Sequence, residues 1–239
     1  MGQPYLPLAQ KEKQIVLGTL LGDGSFMKGH NDKHQLSICH SIKQQLYVQW
    51  LYVNLPNLRQ VHSTGPHIWN TSYYNHKYQE KRTFQATGFT TRQHPFIQQI
   101  YSLLKGTNSR KIITREYLNL LDPQGIAIWW CDDGCCNWRA RTGTLSTMGL
   151  SLKEHEIIQQ WFRTIWGIDV KISIWHDNGK PYYTTRFNAT NLKRLIKLIK
   201  DWVPECMRYK VDLHYVKPST YNVDFLPTKT VLQTVEGKI

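Results

Sequence analysis

The sequence predicts an α/β fold of the α+β type, made of two similar halves that each run helix, hairpin, helix, hairpin, helix. Three observations carry this reading. Leu20-Leu21-Gly22-Asp23-Gly24 is echoed by Trp129-Trp130-Cys131-Asp132-Asp133-Gly134, which sets Asp23 and Asp133 110 residues apart. The same offset relates Ser41-Ile42-Lys43 to Ser151-Leu152-Lys153. Between the repeated segments lie stretches rich in Tyr, Thr, Trp and Ile, broken by turn residues such as Asn75 and Asp177-Asn178-Gly179, a pattern of paired strands.

Taken in order, Ile15–Gly22 is apolar almost all round and predicts a helix covered on every side. A hairpin follows, and then a helix whose apolar positions include Leu46, Val48, Trp50 and Leu51. The second copy repeats the plan, with Ile126–Cys131 in the first helix and Ile157, Ile158, Trp161, Phe162 and Ile165 in the next. A third match aligns Arg82–Thr87 with Thr185–Thr190 at an offset of 103, which implies seven residues lost from one loop. Lys193, Arg194, Lys197 and Lys200 alternate with Leu192, Leu195, Ile196 and Ile199 in a closing amphipathic helix whose apolar stripe packs on the sheet. The halves are placed at 10–105 and 117–218, joined by a linker at 106–116 and followed by a tail at 219–239.

Composition narrows the partners. The chain has 239 residues, a formal charge of +13 and 41% hydrophobic residues, which excludes a disordered or fibrous class and favours a polyanion. No apolar stretch approaches the roughly 20 residues of a membrane span. The first residues lack the pattern of a secretory signal, so the chain is read as intracellular, in an organelle (mitochondrion or plastid) or a prokaryotic cytoplasm. Cys39, Cys131, Cys135, Cys136 and Cys206 form neither a disulfide framework nor a zinc-finger spacing and are read as buried thiols.

The two apolar helices most simply bury each other, with Gly18, Gly22 and Ala127 allowing close approach. Each runs into an acidic residue followed by glycine, so Asp23 and Asp133 meet at a pseudo-twofold axis. A carboxylate there opposes the negative end of the helix dipole, a cost that a bound cation would offset. Paired carboxylates under a basic surface suit a phosphodiesterase, and all-oxygen ligands suit Mg²⁺. A single Asp-Gly would read as an ordinary turn; its repetition argues otherwise.

Val16–Gly24 and Ile126–Gly134 resemble the two signature motifs of the LAGLIDADG homing endonucleases, in the single-chain, two-motif branch, and the resemblance extends over residues 10–215. It implies αββαββα half-domains joined by two packed motif helices, each half carrying a saddle-like antiparallel sheet for the DNA major groove. It also implies that Asp23 and Asp133 bind catalytic Mg²⁺, with Mn²⁺ as a substitute. A basic residue near each site matches Lys210 in the second half and either Arg110 or Lys111 in the first. Ile128 stands where a small residue is usual, and Asp132 replaces the Gly22 of the first copy. Gly22 and Asp132 are therefore further metal candidates, Asp132 as an extra ligand or as a backbone-carbonyl position.

For DNA contact the sequence offers Lys28, Lys33, Trp69, Asn75, Lys77, Lys81 and Arg82 in the first half. In the second it offers Arg139 and Arg141, expected on one face of a strand, then Lys171, Trp175, Lys180 and Arg186. The resulting expectation is a monomeric, site-specific endonuclease that cuts both strands of a long asymmetric duplex and promotes intron mobility. Two other readings are an intron-RNA maturase and a catalytically inactive DNA-binding regulator.

Overall fold

Two four-stranded antiparallel sheets flank a central pair of helices in the computed structural model, which describes residues 5–75, 78–106 and 110–214. In the first half, α1 (Gln10–Leu21) leads into β1 (Ser25–Lys28), β2 (His34–Ser41), α2 (Gln45–Val53), β3 (His67–Asn75), β4 (Glu80–Thr90) and α3 (Pro95–Leu104). A one-turn helix, α4 (Arg115–Leu118), precedes the second half. There α5 (Pro123–Asp133) leads into β5 (Gly134–Asn137), β6 (Thr142–Leu145), α6 (Leu152–Trp166), β7 (Lys171–Asp177), β8 (Lys180–Phe187) and α7 (Ala189–Ile199). The strand orders, β1-β2-β4-β3 and β5-β6-β8-β7, are the same, so both sheets have one topology.

Local chemistry sets several boundaries. Asp122 caps α5 by accepting from the Gln124 and Gly125 amides, with Pro123 supplying a preset φ at the first helical position. Ser151 and Glu154 form a capping box on α6, which ends at Gly167 in the left-handed conformation at φ 63°. Asn178 and Gly179 both have positive φ, which suits the two-residue turn between β7 and β8.

Strand alternation separates two faces of each sheet. Leu36, Ile38 and Phe89 in the first half, and Leu145, Thr185 and Phe187 in the second, point into the helices and are buried. The opposite faces are open. In the second half Trp130 packs edge-on against Phe187, and Trp129 stacks on Phe162. Burial of such side chains is worth roughly 1.5–3 kcal/mol each, so the motif helices are also the anchors of the hydrophobic core.

Three expectations change. Cys131 is buried, but Cys39 and Cys135 are exposed because alternation sets them on the open faces of β2 and β5. Arg139 and Arg141 lie in the turn Trp138–Arg141 between β5 and β6, not on a strand face; the Ala140 amide bonds to Asn137 Oδ1 and Arg141 has φ 51°. The match at an offset of 103 is out of register. Ser25 pairs with Ser37 and Ser37 with Thr90, whereas Cys135 pairs with Thr144 and Thr144 with Arg186. Thr90 is therefore equivalent to Arg186, an offset of 96. Arg82–Thr87 belongs to the longer β4 ribbon of the first half. Lys77, the tail 219–239 and part of the 106–116 linker lie outside the described residues.

Candidate active site at the helix interface

The interface between α1 and α5 is close enough to need glycine. A Cβ on Gly18 would lie 2.4 Å from the Gly125 carbonyl oxygen and 2.6 Å from Ile128 Cβ. One on Gly22 would lie 2.4 Å from Asp132 Cβ. The bulkier Ile128 and Asp132 of the second copy thus each face a glycine of the first, and this compensation admits both departures from the small-residue pattern. Polar clamps hold the other end: Gln14 donates to the Leu120 carbonyl at 2.9 Å and accepts from the Asp122 amide at 3.0 Å. The buried Tyr117 hydroxyl donates to the Leu17 carbonyl at 2.7 Å.

At the C-terminal ends of the two helices the three carboxylates occupy different surroundings. Asp23 lies beyond the end of α1 with 46% of its side chain exposed. Asp133 closes α5, and its Oδ2 accepts from Trp129 Nε1 at 3.1 Å. Burial, reinforced by the charge of Asp23 and opposed by the Trp129 bond, pushes the Asp133 carboxyl up to about 7. Asp132 reaches into the other half: its Oδ1 accepts from Tyr47 of α2 at 2.9 Å and its Oδ2 from the Asp23 amide at 3.2 Å. Burial and the neighbouring Asp23 charge hold Asp132 well above the usual carboxylate range.

The two lysines are placed as a pseudo-symmetric pair. Lys111 Nζ donates to the carbonyls of Leu20 and Gly24 at 2.7 Å and lies 3.5 Å from that of Gly22. Lys210 Nζ donates to the Asp132 carbonyl at 3.0 Å. Each ammonium therefore faces the carbonyl preceding one of the two motif aspartates. The Lys210 backbone carbonyl is itself fixed by Trp130 Nε1 at 2.8 Å and by Cys136 Sγ at 3.1 Å. Burial lowers Lys111 below the ordinary lysine range, and Asp133, Asp132 and Asp23 partly hold it up. Arg110 is engaged elsewhere: its guanidinium pairs with Glu154 of α6, so the structure sets Lys111, not Arg110, against the carboxylates.

Sequence reasoning missed His40 and Tyr47. His40 is 1% exposed and sets Nδ1 3.0 Å from Gln44 Oε1 and 3.4 Å from Asp23 Oδ2, two acceptors that draw the ring proton to that nitrogen. Burial lowers its pKa, with Asp23 and Gln44 opposing. Its signal was present: His40 sits on the buried alternation of Leu36 and Ile38 in β2, where a polar residue needs a partner. Ligand atoms of Asp23, His40 and Asp132 lie within 4.8 Å of one another. Asp132 and Asp133, raised by burial and by the charge of Asp23, form with it a donor set that a divalent cation would relieve, so the residues fit such an ion. Both Asp132 oxygens already accept protein hydrogen bonds, which leaves Asp23 and Asp133 as the freer pair.

The basic candidates divide by face. Trp69, Asn75 and Arg82 share the open face of the first sheet, and Lys171, Trp175, Lys180 and Arg186 that of the second. Lys28 and Lys81 have the helix-side alternation, where Lys28 pairs with Asp32 at 2.8 Å. Lys33, Arg139 and Arg141 sit in the turns at the sheet rims.

Residues 13–195 match the model of the LAGLIDADG DNA endonuclease family. The chain is 23% identical over 244 residues to Protein RecA of Mycobacterium shimoidei, covering 96% of this chain and 53% of that protein. It is 23% identical over 215 residues to DNA endonuclease I-ChuI of Chlamydomonas applanata, covering 86% of this chain and 96% of the relative. The chain spans about half the length of the RecA relatives it matches. In fold it is similar to the homing endonuclease I-WcaI bound to its DNA recognition sequence, with a TM-score of 0.70, 19% identity, and 87% of this chain and 88% of that one covered.

Proposed function

The chain belongs to the LAGLIDADG DNA endonuclease family, and we propose that it is a site-specific homing endonuclease. It would cut both strands of a long asymmetric duplex by metal-dependent phosphodiester hydrolysis and so promote intron mobility. One observation carries this reading: at the junction of two packed helices, each half presents an aspartate whose preceding carbonyl faces a lysine ammonium.

Asp23 and Asp133 would hold divalent cations, Mg²⁺ by preference for oxygen ligands, with Mn²⁺ able to substitute. Such an ion, when bound, activates water and stabilises the leaving oxygen of the phosphodiester. The chain's own groups prepare the rest. Trp129 orients the Asp133 carboxylate, and Asp132 fixes the Asp23 backbone by accepting its amide. Lys111 and Lys210 bring positive charge to the carbonyl ends of the motif helices, where it would meet negative charge developing on the phosphate oxygens. The open sheet faces supply the duplex contacts, most of their cations meeting phosphates and fewer meeting base edges.

The test is cleavage of a plasmid carrying the selected target by purified protein. Linear product is expected with Mg²⁺ or Mn²⁺ and none with EDTA. Cleavage that persists in EDTA would overturn the metal-dependent reading.

A further inference from the structure

The two open sheet faces differ in chemistry. On the first, the described residues include His67, Trp69, Thr71, Tyr73 and Phe84, and the charges Arg82 and Glu80 neutralise each other at 2.5 Å. Trp69, Tyr73 and Phe84 are exposed, and the last two meet edge to face at 6.0 Å. On the second, Trp175 stacks on Tyr182 at 4.9 Å, but Lys171, Lys180 and Arg186 outnumber Asp177, and the β5–β6 turn adds Arg139 and Arg141 where the β1–β2 connection of the first adds Lys33.

One pairing sharpens the contrast. Lys171 on β7 stands directly opposite Arg186 on β8, both exposed, and neither makes an ion pair among the described residues. Like charges directly opposite across strands are destabilising. Of the described strand registers, this is the one that sets two permanent cations opposite each other. At the position equivalent to Arg186 the first sheet has Thr90. A polyanion laid on the second sheet would relieve the repulsion; among the described residues of the first sheet no such pairing of cations favours one.

We propose that the two sheets hold their half-sites by different forces, an inference that rests on the duplex-cleaving reading above. The second sheet docks through charge: Lys171, a point charge on the edge strand, takes a phosphate, and Arg186, whose planar fork matches guanine O6 and N7, reads a guanine. The first sheet docks through shape and apolar contact, with Trp69 and Tyr73 against thymine methyl groups. The preferred target therefore carries a guanine in the half-site under the second sheet and thymines in the half-site under the first.

The test uses the full chain in EDTA, a library of randomised duplexes as the probe, and then the selected duplex in a salt titration. Lys171→Ala is expected to lower the slope of log affinity against log salt by about one without changing sequence preference. Arg186→Ala should abolish preference for guanine at one base pair. Trp69→Ala and Tyr73→Ala should relax thymine preference in the opposite half-site and leave the salt slope unaltered. The proposal is overturned if Trp69→Ala lowers the slope as much as Lys171→Ala, or if Arg186→Ala leaves every guanine preference intact. Selection of no sequence at all by the wild-type chain would instead remove the endonuclease reading on which it rests.

Discussion

Gly22 and Asp132 face each other across the helix interface so closely that one added carbon on Gly22 would sit 2.4 Å from Asp132 Cβ. The contact joins the halves at the point where their carboxylates meet, because Asp132 also accepts from the amide of Asp23. Gly22→Ala must separate the helix ends. It is expected to cost about 1–3 kcal/mol and to reduce cleavage, read by thermal melting and a plasmid assay. Gly149→Ala, which has nothing within 4 Å, serves as the neutral control.

Lys111 and Arg110 are adjacent in sequence but face different partners, the carbonyls at the end of α1 and the carboxylate of Glu154. Lys111→Met should lower the cleavage rate on the order of 10²-fold or more, the usual loss when a charge-stabilising donor is removed. Arg110→Ala should leave the single-turnover rate near wild type and lower the melting temperature. The opposite assignment of rate and stability effects would show that Arg110 serves the chemistry.

Glu154 links that arginine to pH. Its burial raises the carboxyl, but bonds from Ser151 and the Ile113 amide, with the charge of Arg110, outweigh this and hold it below the usual range. The stability it contributes is present above the ordinary glutamate pKa and is lost as pH falls through the lowered folded value. Glu154→Gln should therefore destabilise the protein at pH 7, and the difference from wild type should shrink in acid.

Asp133 has the opposite sign. With its folded value raised to about 7, folding favours the protonated form; that contribution is complete below about pH 4 and is lost as pH rises through 7. In EDTA, Asp133→Asn should stabilise the chain more at pH 8 than at pH 5, measured by urea unfolding. A gain independent of pH would contradict the burial of this carboxylate. Adding Mg²⁺ should stabilise the wild type and leave less effect on the variant.

Much of this arrangement was legible in the sequence because it is repeated. The all-round apolar character of Ile15–Leu21 and Ile126–Cys131, at one offset, fixes two central helices and sets Asp23 and Asp133 at their ends, where Asp132 is the carboxylate whose ligand atom converges with those of Asp23 and His40. Alternation placed Lys171, Trp175 and Arg186 on one face. What stayed hidden depends on contacts between distant segments. Lys111 could not be told from Arg110 without knowing that Glu154, 44 residues away, captures the arginine. The third repeat slipped because strand composition is alike over several registers, and only the pairing of Ser37 with Thr90 settles it. His40 and Tyr47 escaped because their partners, Asp23 and Asp132, come from other elements of the fold.

The proposed mechanism needs one aspartate from each half to serve cleavage of a shared duplex. It is tested most directly by Asp23→Asn and Asp133→Asn, each assayed in Mg²⁺ on a supercoiled plasmid bearing the selected target, with binding measured in parallel. Neither variant is expected to form linear product at a measurable rate, and both are expected to bind the duplex with near wild-type affinity. Linear product from either variant at the wild-type rate would contradict that mechanism.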